Sequence, residues 1–129
     1  MEPGRTRVLI IDDEPPIRRL LLNYLEDYDE FEVRSARSAE MALEELRREP
    51  ADVAVVDMRL PGMSGESFIL AAGREGLCRR FLLHTGSVDL VLSDDIRGLG
   101  VTEKDVFLKP ADMDELLERI RETPGAGGR

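Results

Sequence analysis

The chain has 129 residues, 42% hydrophobic and 35% charged, with a net charge of −9. That is the size of one domain with a core of its own. The acidic balance argues against direct DNA or RNA binding, which needs Lys and Arg to neutralise phosphates. No apolar run approaches the roughly 20 residues that span a bilayer, so no membrane insertion is expected. The single cysteine, Cys78, allows no internal disulfide, and no Cys/His cluster has zinc-ligand spacing. A cytoplasmic protein is expected.

Residues 1–6 read as a loose start. "RVLIID" (7–12) is a short buried strand. "EPPIRRLLLNYLEDY" (14–28) reads as a helix, with prolines where a first turn tolerates them and Ile17, Leu20, Leu21, Tyr24, Leu25 and Tyr28 at helical spacing. "FEVRSA" (31–36) alternates like a strand. Ser38 suits the N-cap of a helix running to about Glu49, with Ala39, Ala42, Leu43 and Leu46 inward. "DVAVVD" (52–57) is a third strand, and Ser64 or Gly65 opens a helix through "ESFILAAGR". "RFLLHT" (80–85) is a fourth strand. The spacing of Val88, Val91, Leu92, Ile96 and Leu99 predicts a helix within 88–99. "DVFLK" (105–109) is a fifth strand. Asp112 and Glu115 form a capping-box-like pair before a last helix with Met113, Leu116, Leu117 and Ile120 inward. The domain is expected over 1–122, and "TPGAGGR" (123–129) as a flexible tail.

This (βα)5 alternation predicts an α/β, doubly wound, flavodoxin-like fold: a parallel five-stranded sheet in the order 2-1-3-4-5. Ligands in such sheets bind at the carboxyl ends of the strands, near the switch between strands 1 and 3. Asp12 and Asp13, Asp57, Thr85 and Lys109 all fall at that rim. Each alone has a plainer explanation. Asp12 and Asp13 are suited to capping the first helix, and Asp57 to ending a strand in water. Together, the three aspartates and one lysine leave two negative charges in excess, which one divalent cation would neutralise. Hard oxygen donors without His or Cys favour Mg²⁺. The metal and Lys109 would clamp a phosphoryl group, Thr85 would bond one of its oxygens, and Asp57 would be the nucleophile.

These residues lie in "IIDDE" (10–14), "VVDMRLPGMSG" (55–65), "LLHTG" (82–86) and "FLKP" (107–110). In that order and on those elements, the chain resembles the receiver domain of bacterial two-component response regulators. The resemblance implies that Asp57 accepts a phosphoryl group from a histidine kinase or a phosphotransfer protein. It implies that Asp13 ligates Mg²⁺ directly, with Asp12 helping directly or through water, and that Arg59 gives its backbone carbonyl. It implies that Thr85 turns toward the phosphoryl group, that Lys109 binds phosphate, that the bond to Pro110 is cis, and that Gly86 supplies a small residue beside the phosphate. It further implies a signalling module and not a metabolic enzyme, acting on a downstream protein, as a monomer or as a weak homodimer through the fourth helix, fifth strand and fifth helix. A stand-alone receiver is expected, although the Gly-rich tail also suits a linker stub.

The chain departs from the family at Val106, where an aromatic ring is frequent, and at Ala111, where Phe often follows Lys-Pro. Its segment from Gly86 to Asp105 is slightly long. Two other readings compete. A phosphatase of the haloacid dehalogenase kind also uses an Asp nucleophile and Mg²⁺, but typically needs an acid where this chain has Arg59. A degenerate receiver would lack the Asp57 and Lys109 retained here. His84, next to Thr85 on a strand, should face the opposite side and serve structure or meet solvent.

Overall fold

A computed structural model describes residues 4–123. Five parallel strands stand in the order β2-β1-β3-β4-β5: β1 (Thr6–Ile11), β2 (Phe31–Ala36), β3 (Ala51–Asp57), β4 (Cys78–Thr85) and β5 (Val106–Leu108). The helices are α1 (Pro15–Glu26), α2 (Ala39–Arg48), α3 (Gly65–Arg74), α4 (Asp94–Arg97) and α5 (Met113–Arg121). The predicted fold and strand order are those found.

Alternation along the strands divides the core. Leu9, Ile11, Ala54, Val56, Phe81 and Leu83 pack toward α2, α3 and α4, around Leu43, Phe68, Ile69 and Ile96. Val8, Ile10, Val53, Val55 and Leu82 face α1 and α5, around Leu21, Leu25, Leu116 and Ile120. The central strands are buried on both faces, which is why they read as unbroken apolar runs. Burying one such side chain contributes about 1.5–3 kcal/mol, so the two layers hold the strand ends in fixed positions.

Several expectations need correction. Thr6 belongs to β1 and is buried, so the strand starts one residue early. β4 begins at Cys78, and β5 is only three residues long. Leu20 sits outside the inward stripe of α1 and is 54% exposed. The predicted helix within 88–99 shrinks to Asp94–Arg97. Ser93 caps it by accepting from the Ile96 amide, and residues 88–93 are non-helical. Only Leu92 and Ile96 of the five spaced residues are buried; Val88 and Val91 stand in solvent. The connection holds instead a 3-10 turn, Glu103–Asp105, closed by a reciprocal Thr102–Asp105 capping box. At α5, Asp112 accepts from the Asp114 and Glu115 amides, so it is the cap. Thr123, just beyond α5, is buried, and its hydroxyl donates to the Ile120 carbonyl. The rest of the expected tail lies outside the described residues.

Candidate phosphoacceptor and metal site

Three strand ends and one helix start build the site. Asp12 follows β1 directly, and its amide donates to the Ala36 carbonyl of β2. Asp57 is the last residue of β3, paired in register with His84 of β4. Lys109 follows β5, and its amide donates to the Thr85 carbonyl at 2.8 Å. Asp12 and Asp57 are buried, whereas Asp13 and Glu14 are exposed at the mouth. Carboxylate oxygens of Asp12, Asp13, Glu14 and Asp57 lie within 4.8 Å of one another.

The Lys109 ammonium joins these acids. Its Nζ lies 3.1 Å from Asp12 Oδ2, 3.5 Å from Asp57 Oδ2 and 3.7 Å from Glu14 Oε2. Burial alone would lower the lysine pKa. The hydrogen bond to Asp12 and the charges of Asp12, Asp57 and Glu14 outweigh it and raise the value above the ordinary one. Asp57 Oδ1 accepts from the Arg59 amide at 2.9 Å, and Asp12 Oδ1 accepts from the Glu14 amide at 2.9 Å. Each buried carboxylate is thus oriented on one oxygen by backbone and faces the lysine with the other.

The loop after Asp57 is held by close approach. A Cβ on Gly65 would meet the Asp57 carbonyl oxygen at 2.7 Å, so a larger residue would push α3 away from the end of β3. Glu40 of α2 accepts from the Met63 amide at 3.0 Å and ties the same loop to that preceding helix.

The structure brings Asp12, Asp13, Asp57 and Lys109 together as the sequence predicts. The Lys109–Pro110 bond is cis. Arg59 joins the site through its amide. Thr85 is fully buried, and its Oγ1 accepts from the Ser87 amide at 3.0 Å, so its hydroxyl is engaged by the following loop. A methyl group at Gly86 would meet no atom within 4 Å, so packing in the free protein does not demand glycine there. Val106 packs toward the α2–α3–α4 side and Phe107 toward the α1–α5 side, on opposite faces of β5.

His84 lies on the α1–α5 side, beside a groove of about 320 Å³ lined by Ile17, Leu20, Lys109 and Met113 among others. Both ring nitrogens are buried without a hydrogen-bond partner among the described residues. Burial, and then the Lys109 charge, lower its pKa against the opposing charges of Asp12 and Asp57.

Sequence reasoning left Glu14 outside the metal set, although "IIDDE" displays it. Arg18 Nη1 donates to the Asp12 carbonyl at 2.8 Å. Asp105 is buried against Arg119 and Arg80.

The model of the response regulator receiver domain matches residues 8–121, and the chain belongs to that family. It is 37% identical over 122 residues to the transcriptional regulatory protein AruR of Pseudomonas aeruginosa, covering 89% of this chain and 48% of that protein. It is 35% identical over 116 residues to the transcriptional regulatory protein KdpE of Mycobacterium tuberculosis, covering 90% and 50%. The chain therefore spans about half the length of these curated relatives. Among solved structures, a CheY-like receiver domain protein from Methanospirillum hungatei superposes with a TM-score of 0.77 at 30% identity, covering 92% of this chain and 93% of that one. The chemotaxis protein CheY4 of Vibrio cholerae shares the fold, with a TM-score of 0.81 at 24% identity over 93% and 99%. No helix among the described residues is long and apolar enough to cross a membrane.

Proposed function

We propose that the chain is the phosphoacceptor module of a two-component phosphorelay, taking a phosphoryl group onto Asp57 in the cytoplasm. The observation that carries this reading is the buried Asp57 carboxylate, 3.5 Å from the Lys109 ammonium and inside the four-acid cluster. The donor is a phosphohistidine of a sensor kinase or phosphotransfer protein. The Asp57 carboxylate attacks phosphorus, an O–P bond forms, the N–P bond breaks, and its electron pair returns to the donor imidazole.

Asp12, Asp13 and Asp57 would hold Mg²⁺, with the Arg59 carbonyl as a further ligand and Glu14 beside them. Their all-oxygen donor set, with two acids at an open mouth, suits a cation that keeps waters. Bound there, the cation would neutralise the charge that otherwise keeps phosphoryl oxygens from the carboxylates. Lys109 binds a phosphoryl oxygen on the other side. Thr85 exchanges its bond with the Ser87 amide for one to the phosphoryl group and carries the following loop with it. The altered surface is read by a downstream protein or by a second copy through α4, β5 and α5. The chain acts as a switch and not as a metabolic enzyme. Intact-mass measurement after a small-molecule phosphodonor and Mg²⁺ tests this. One added phosphoryl group on the wild type and none on Asp57→Asn is expected; equal uptake by both would refute it.

A further inference from the structure

Arg18 occupies an unusual position beside the acids. It lies on the first turn of α1, where its amide donates to the Glu14 carbonyl, and its guanidinium reaches back over the loop that carries Asp12 and Asp13. The partner it finds there is a neutral backbone carbonyl. Among the described residues it makes no ion pair within 4.0 Å, although Asp12, whose carbonyl it meets, belongs to the four-acid cluster. A cation that served only to offset charge would sit on a carboxylate.

The local backbone explains the arrangement. The N-cap of α1, Glu14, makes no side-chain capping bond, and the next two residues are prolines without an N–H. The helix start therefore lacks the usual lock between cap and first turn. The Arg18–Asp12 bond replaces it and fixes the Asp12–Asp13 peptide plane from which both carboxylates project. The bond is partly buried and charge-assisted, which makes it stronger than a neutral hydrogen bond.

We infer that Arg18 is a positioning residue for the divalent cation, acting through the Asp12–Asp13 peptide. The inference rests on the proposed Mg²⁺ site. Its two physical effects have opposite signs. As a positive charge near the metal, Arg18 weakens cation binding. As a strut, it strengthens binding by holding the ligands where the cation needs them. Removing it therefore tells which effect wins.

The test is calorimetric titration of Mg²⁺ into the metal-free wild type, Arg18→Gln, Arg18→Lys and Arg19→Gln. Arg19 is exposed on the same helix, and its variant loses the same charge without touching the loop. Arg18→Gln is expected to bind Mg²⁺ about tenfold more weakly, the usual scale for loss of a group that orients metal ligands. Arg18→Lys keeps the charge and a donor, and should fall between. Arg19→Gln should stay within about twofold of the wild type, a surface charge being largely screened. Thermal melts without metal report whether each variant is folded; should Arg18→Gln fail to fold, Arg18→Lys carries the test, and wild-type affinity in it would overturn the inference. Arg18→Gln binding as tightly as the wild type, or more tightly, would equally overturn it. A wild type that binds no Mg²⁺ would refute the metal site itself, and the inference with it.

Discussion

The Lys109 ammonium lies 3.1 Å from Asp12 Oδ2, bridging 97 residues of sequence and two edges of the rim. Asp12 is buried, so the lysine is the main compensation for its charge in the metal-free protein. Lys109→Met leaves that acid unpaired and is expected to cost about 1–3 kcal/mol in urea unfolding with a chelator present. Added Mg²⁺ should recover part of the loss. The raised lysine pKa fixes the pH dependence. Its stabilisation is fully present below the ordinary value of 10.5 and is lost as pH rises through the higher folded value. An unchanged midpoint in Lys109→Met would remove the pair from the stability of the fold.

Asp13 is exposed at the mouth, so under the proposed function it serves the cation more than the fold. Asp13→Asn is expected to weaken Mg²⁺ binding about tenfold or more. Without metal the variant should be as stable as the wild type or more so, because one repulsion among the clustered carboxylates is gone. Calorimetry and chelator-treated melts measure both. Unchanged affinity would exclude Asp13 from the site.

His84 presents a different balance. Its folded pKa is lowered, chiefly by burial, so protonation favours the unfolded chain. The cost is absent above the ordinary value of 6.5 and grows as pH falls through it toward the folded value. His84→Leu also removes two unpaired buried nitrogens. It should be more stable than the wild type by about 1 kcal/mol or more at neutral pH, with the gap widening as pH falls below 6.5. A gap that stays constant across those melts would mean that His84 does not titrate on unfolding.

The switch should be local. Thr85 is tied to Ser87, and the segment beyond it, 88–93, is non-helical. β5 is held by the Asp105 carboxylate, which meets Arg119 Nε at 2.9 Å, Arg80 at 3.9 Å and the Thr102 amide at 2.9 Å. Val106 also lacks the ring whose burial would add contact area to a two-state movement. Beryllofluoride with Mg²⁺ is expected to shift amide resonances over Thr85–Leu92 strongly and those of Val106–Leu108 weakly. The reverse pattern would contradict a switch carried by this loop.

The fold was legible because doubly buried strands and two-sided helices leave strong patterns. "VLII" and "VAVV" admit little else, and the stripe of Ala39, Ala42, Leu43 and Leu46 is buried as spaced. Spacing failed where it could not tell facing from exposure. Val88, Val91 and Leu99 fit a helix, yet Ser93 opens one only at Asp94. The rim acids and Lys109 were legible because strand order alone brings their positions together. The links that depend on backbone shape were not: Arg18 on the Asp12 carbonyl, Glu40 on the Met63 amide, and the Thr102–Asp105 capping box. Glu14 was visible in sequence, but its reach toward Lys109 needs the actual turn into α1.

Phosphate is expected to reside on Asp57 as an acyl phosphate. The most direct test is borohydride reduction of the phosphorylated protein followed by peptide sequencing, since reduction converts an aspartyl phosphate to homoserine. Homoserine at position 57 alone, with signal lost after hydroxylamine treatment, is the expected result. Homoserine at 12 or 13, or a hydroxylamine-stable phosphate on Ser or Thr, would contradict it.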